Sequence, residues 1–208
     1  MSPTAKKALL TFVIILAVTV MAVMGVLKTR EPKPVSGKAW EGASQDVGDR
    51  PAIGGAFELV DQNGKIRTEK DFLGRPTLFY FGYTYCPDIC PMALGNLSEL
   101  LQEVGRDQLN VVFITIDPDR DTVDQLKSYS RNFDPSIVML SGTPAQLQRA
   151  MKAWHVYAAK VKDPGMTDYV MDHSSIIYVM DAEGHYVKSF NHQTPAAEMK
   201  AGLEGVIE

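Results

Sequence analysis

The strongest constraint on this chain is the apolar run from Thr77 to Tyr83, which passes within three residues into Cys86-Pro-Asp-Ile-Cys90-Pro91. A short continuous apolar run bounded by a turn reads as a strand buried on both faces. Pro91 then suits the first turn of a helix, where a missing N–H breaks no hydrogen bond. A buried strand feeding directly into a helix is the unit from which sheets with covering helices are built. The two cysteines of the chain both sit at that junction.

The surrounding segments alternate. Phe57 to Asp61 has strand periodicity, and Gln62-Asn63-Gly64-Lys65 is a hairpin turn signal. Pro91 to Val104 places Leu94, Leu97, Leu100 and Leu101 on one side of a helix. Asn110 to Ile116 reads as a second central strand, Thr122 to Phe133 as a helix and Ile137 to Leu140 as a short strand. Thr143-Pro144 opens another helix, with a capping residue followed by proline at the first position. Ser174 to Met180 is a third apolar strand, Asp181 to Gly184 a turn and His185 to Phe190 its hairpin partner. Thr194-Pro195 caps a final helix running to the C-terminus. Strand–helix–strand–helix followed by a hairpin and a helix implies an α/β fold, a mixed sheet with helices on both faces. With a cysteine pair at the end of the first central strand, that order resembles a thioredoxin-like fold.

The N-terminus is of another kind. Ala8 to Leu27 is an uncharged run preceded by Lys6 and Lys7 and followed by Lys28 and Arg30. At ~1.5 Å per residue it spans ~30 Å, the thickness of a bilayer core. It is longer than the apolar part of a cleavable signal and lacks a small-x-small cleavage site, so it reads as one N-terminal transmembrane helix that is retained. Basic residues lie on both sides of it, so charge bias does not orient it. Thr29 to Pro51 then turns to Pro, Gly, Ser and charge without periodicity. The expected organisation is an anchor over 1–28, a tether over 29–51 and one domain over 52–208. Four of the 21 basic residues precede Glu31, which leaves 17 basic against 25 acidic residues and a net charge of −8. A portion that acidic argues against nucleic acid as a partner.

Cys86 lies where a strand hands over to a helix, so backbone N–H groups favour its thiolate. A thiol of low pKa serves redox chemistry and metal binding equally well. Redox sites of the thioredoxin type use Cys-x-x-Cys, and this chain has one residue more between its cysteines. The wider loop still permits a disulfide, and it also lets two sulfurs converge on one ion at about 2.3 Å each, by analogy with zinc. Two thiolates suit Cu(I), and an added imidazole makes a site usable by either copper oxidation state. A structural disulfide or a pair of inert buried thiols is the plainer alternative.

The candidate third ligand is His173, placed before a buried strand and after a polar stretch with Pro164 and Gly165 that reads as a mobile loop. His155 reads as a helix residue, His185 as the opening of a hairpin strand and His192 as part of a polar turn. Asp117, in Asp117-Pro-Asp-Arg-Asp121, ends the second central strand and could support the metal site from behind its ligands. The competing reading is an ordinary turn with Asp121 capping the next helix. Met166 and Met171 flank His173 as soft side chains that also serve as core filling.

Phe81-Gly-Tyr-Thr-Tyr-Cys-Pro-Asp-Ile-Cys-Pro91, Ile116-Asp-Pro-Asp-Arg-Asp-Thr122 and Met171-Asp-His-Ser-Ser175 together resemble the Sco/SenC family of copper chaperones. The resemblance runs from about Gly54 to the last helix. It implies a membrane-tethered, thioredoxin-fold protein of the inner membrane whose domain faces the periplasm, or the intermembrane space if mitochondrial. It implies copper, as Cu(I) and also Cu(II), held by Cys86, Cys90 and His173, with Asp117 in a supporting role. The implied partners are subunit II of cytochrome c oxidase, whose dinuclear copper site is filled or kept reduced, a copper donor and a thiol reductant. Two functions follow from these residues: a metallochaperone that needs His173, and a thiol–disulfide reductase that tolerates its loss. A peroxidase-type reading would need a single activated thiol beside an arginine, and no such arrangement is visible near Cys86.

Overall fold

The computed structural model describes residues 53–162 and 164–207. The transmembrane segment and tether expected from the sequence lie outside them. No helix among the described residues is long and apolar enough to cross a membrane.

The described residues begin with β1 (Glu58–Asp61) and β2 (Ile66–Thr68), then a 3-10 turn (Glu69–Phe72) and β3 (Thr77–Gly82). Helix α1 (Ile89–Val104), β4 (Asn110–Thr115), α2 (Val123–Ser130), β5 (Val138–Ser141) and α3 (Pro144–Ala153) follow. Then come β6 (Ala158–Val161), β7 (Val170–His173), β8 (Ile176–Met180), β9 (Tyr186–Asn191) and α4 (Ala196–Gly202). Seven strands form one sheet in the order β2-β1-β5-β4-β3-β8-β9. β3, β4 and β5 run parallel, while β8 pairs antiparallel with β3 and β1 with β5. Parallel neighbours need helical crossovers. The steps β3-α1-β4 and β4-α2-β5 run the same way across the sheet, so right-handed crossovers place α1 and α2 on one face.

Side-chain alternation along β3 builds the two layers of core. Phe79 and Phe81 point to the face of α3, where Trp154 meets them at ring-centroid distances of 4.5 and 5.7 Å and also meets Tyr178 at 5.5 Å. Tyr80 and Gly82 point the other way, toward α1 and α2. There Tyr80 lies 6.2 Å from Phe113, which lies 6.3 Å from Tyr129 of α2. Every residue of β3 is buried, as expected of a strand covered on both faces. Helices thus cover both faces, and the thioredoxin-like α/β architecture holds.

Several expected boundaries move. The helix after β4 ends at Ser130, and Thr122 caps it by accepting from the Gln125 N–H at 3.3 Å. The last helix stops at Gly202, and Thr194 supplies no side-chain cap. His155 is not inside a helix. It follows α3 with a φ of 54°, in a two-bond helix stop in which its N–H reaches the Lys152 carbonyl and the Val156 N–H the Met151 carbonyl. The largest difference is the stretch before β8. The polar stretch with Pro164 and Gly165 links the strands of a second, two-stranded sheet, β6 paired with β7 in the register Ala158↔His173 to Val161↔Val170. His173 therefore ends a strand.

Candidate metal centre

The site forms where β3 ends. Gly82 is the last strand residue, Tyr83 to Asp88 make the turn, and α1 begins at Ile89 with Cys90 in its first turn. Asp88 stands at the capping position but makes no side-chain cap. The sulfur of Cys86 takes that role, accepting from the Cys90 N–H at 3.4 Å. The Cys90 thiol, followed by the backbone N–H groups of Cys90, Asp88 and Ile89, pulls the Cys86 thiol down to about 5, against the opposing effect of burial.

The two thiols are unequal, and both are free. Cys86 is half-buried and lines a cavity of about 320 Å³ with Pro87, Ile89, Met171 and His173. Cys90 is fully buried. Its neighbour Cys86, then burial, push its own thiol well up, and the Tyr80 hydroxyl donates to its sulfur at 3.5 Å. Gly82 makes room for that sulfur: a Cβ there would stand 2.8 Å from Cys90 Sγ and 2.9 Å from Phe113 Cε2.

His173 faces the pair from the end of β7. Its Nδ1 lies 3.0 Å from the Ser174 carbonyl, which can only accept, so the proton sits on Nδ1 and the Nε2 lone pair is free. Nε2 points to Cys90 Sγ at 4.0 Å. Two ligands at about 2.3 and 2.0 Å from one ion, 120° apart, would stand about 3.7 Å from each other. Burial lowers the pKa of the imidazole and keeps it neutral, the form a metal requires. The Tyr83 ring meets it edge-on at 5.8 Å. Among the described residues no three thiol, imidazole or carboxylate groups already meet at the spacing of a formed metal site. Cys90 and His173 approach one another, with Cys86 beside them.

Asp117 is fully buried behind this site. It accepts from the Tyr169 hydroxyl at 2.7 Å and pairs with Arg120, and it contacts neither cysteine nor His173. Asp121 is not a helix cap. Its buried carboxylate accepts from the Thr84 N–H at 3.0 Å and from the Thr84 and Thr115 hydroxyls at 2.6 Å each, which ties the cysteine loop to the end of β4. Burial raises its pKa. Met171 lines the cavity, whereas Met166 is exposed in a neighbouring depression with Tyr85. His185 forms part of the turn before β9, and His192 places Nδ1 3.2 Å from the Ser175 carbonyl. Gly82, Tyr80, Arg120, Tyr169 and Thr84 were not legible as site residues, because the contacts that give them their roles form only in the folded chain.

The family model described as SCO1/SenC matches residues 45–208. An SCO2-like protein of Rickettsia felis is 38% identical over 197 residues, covering 93% of this chain and 94% of that protein. The human SCO1 homolog, mitochondrial, is 33% identical over 158 residues, covering 74% of this chain and 52% of that one. Among solved structures, Bradyrhizobium japonicum ScoI with copper bound is 45% identical, with a TM-score of 0.69, and covers 75% of this chain and all of its own (100%). Yeast Sco1 with copper bound is 36% identical, with a TM-score of 0.68, covering 74% of this chain and 88% of that one. With the matching model spanning the whole described domain, and the thiol pair and imidazole gathered at one end of its sheet, this chain belongs to the SCO1/SenC family.

Proposed function

We propose that this chain is a membrane-tethered copper metallochaperone. Cys86, Cys90 and His173 hold the metal, and its destination is the dinuclear copper site of cytochrome c oxidase subunit II. The observation that carries the reading is the approach of His173 Nε2 to Cys90 Sγ, at 4.0 Å, beside a Cys86 thiol already depressed by the Cys90 thiol and by the backbone N–H groups of the helix start. Support comes from relatives solved with copper bound and from BsSco, described as a member of the Sco family of cytochrome c oxidase assembly proteins. Copper is cargo here. A three-coordinate Cu(I) ion leaves room for an incoming thiolate before an outgoing one departs, so transfer can proceed by ligand exchange. In this reading residues 1–28 anchor the chain in the inner membrane, 29–51 tether it, and the domain over 52–208 works in the periplasm or intermembrane space. Mitochondrial and bacterial relatives support either setting.

The inequality of the thiols supports a second reading. Cys86 thiolate attacks a partner disulfide, forming a mixed disulfide and releasing one partner thiolate. Cys90 then loses its proton and attacks the Cys86 sulfur, closing Cys86–Cys90 and releasing the second partner thiolate. Return to the dithiol needs two electrons from an external thiol reductant.

The deciding experiment titrates the reduced full chain, in detergent, with Cu(I) against a competing chelator, beside His173→Ala. One copper per chain, weakened by at least about tenfold in the variant, is the expected result, since even the outer partners of metal ligands are worth 10–100-fold. Weak binding indifferent to His173, together with rapid turnover of a protein disulfide, selects the reductase.

A further inference from the structure

We propose that Arg120 and Tyr169 position His173 for copper by latching its hairpin to the end of β4. The inference rests on reading Cys86, Cys90 and His173 as the copper site. β6 and β7 form a sheet of their own, and none of their residues is fully buried. A two-stranded hairpin is marginal by itself, so the place of its last residue depends on what pins it.

The pin is built around one guanidinium. Arg120 Nε pairs with the buried Asp117, which also receives the Tyr169 hydroxyl at 2.7 Å. Arg120 Nη1 donates to the Tyr169 carbonyl at 2.9 Å and to Asp168 at 3.2 Å. The guanidinium carbon lies 3.7 Å from the centroid of the Tyr169 ring and 4.8 Å from that of Tyr85. Tyr85 immediately precedes Cys86, and Tyr169 immediately precedes β7. One side chain therefore touches both metal-binding segments, and it does so without contacting a thiol or the imidazole. Lys160 of β6 reinforces the latch, bonding Asp119 and lying 4.5 Å from the Tyr169 centroid.

β7 carries the effect to the site. Its four residues are extended, and a slip of one residue would turn the imidazole to the opposite face. Fixing Tyr169 fixes where β7 starts, and with it where His173 ends.

The test is a double-mutant cycle on the full chain. Tyr169→Phe removes the bond to Asp117 and keeps the ring, whereas Arg120→Lys keeps the charge and loses the planar fork and its stacking. Each should weaken Cu(I) binding by about three- to tenfold alone and by almost nothing in the His173→Ala background, the non-additivity expected of groups acting through one residue. In the metal-free chain, amide exchange should rise at Val170 to His173 and stay unchanged in β3 and β4. Equal losses with and without His173 would overturn the latch, as would full affinity in both variants while His173→Ala alone is weak. If His173→Ala itself binds copper normally, the three-ligand reading falls and the latch falls with it.

Discussion

Gly82→Ala offers the most demanding check on how the site is built. Gly82 ends a fully buried strand, and its missing side chain is the space into which Cys90 fits. A Cβ there would stand 2.8 Å from Cys90 Sγ, 2.9 Å from Phe113 Cε2 and 3.2 Å from Tyr80 Cε1. Ordinary carbon contacts lie at about 3.5–4.0 Å, so the methyl intrudes by about 0.6 Å or more on two neighbours at once. Neither yields easily: Cys90 is fixed in the first turn of α1, and Phe113 is a fully buried ring of β4. Overpacking of this kind costs about 1–3 kcal/mol, and the entropy that alanine removes from the unfolded chain returns about 0.4–1 kcal/mol. A net loss of about 1–2 kcal/mol should lower the midpoint of the reduced, metal-free chain by about 2–8 °C for a domain of this size. Because the displaced atom is Cys90 Sγ, Cu(I) affinity should fall as well, whereas a volume change elsewhere in the core would spare it. Urea unfolding and chelator competition measure the two effects on one sample. Unchanged stability with unchanged affinity would mean that Cys90 is not pressed against β3, and the account of the site would fail.

Two further outcomes follow from local chemistry. With its pKa lowered to about 5, Cys86 is already thiolate at neutral pH, so its alkylation rate in the reduced metal-free chain should level off above about pH 6, while buried Cys90 reacts slowly throughout. A Cys86 rate climbing tenfold per pH unit up to pH ~8, as an unperturbed thiol near 8.5 does, contradicts the stabilisation of its thiolate by the Cys90 thiol and the helix-start N–H groups. His155→Gly should stabilise the chain by about 0.5–1 kcal/mol, because an exposed non-glycine residue holds a φ of 54° at the end of α3. Copper binding should be indifferent to that change, and a lowered melting midpoint would show that the His155 ring makes a contact worth more than the strain.

What the sequence disclosed and what it withheld divide along contact range. The buried strand from Thr77, the helix start at the cysteines and the Thr143-Pro144 cap were legible because each rests on residues a few positions apart. The cap even appears as a full box, with Gln146 returning a bond to the Thr143 N–H. β6 and β7 were not legible, since Ala158-Ala-Lys-Val161 and Val170-Met-Asp-His173 have no buried face to write an alternating pattern. Arg120 holds them from 49 residues away, as shown by its bond to the Tyr169 carbonyl. Asp121 looked like a cap for the same reason: a carboxylate before a helix start is locally a cap, and only the fold brings Thr84, 37 residues earlier, to satisfy it. The thiols thus owe their chemistry to near neighbours, each other first and then the backbone N–H groups of the helix start for Cys86 and burial for Cys90. The imidazole owes its position to a long-range polar assembly with little apolar burial behind it. Of the three groups, His173 is therefore the one whose distance from the others can change while the core stays intact, and copper capture or release through motion of this hairpin would leave the seven-stranded sheet undisturbed.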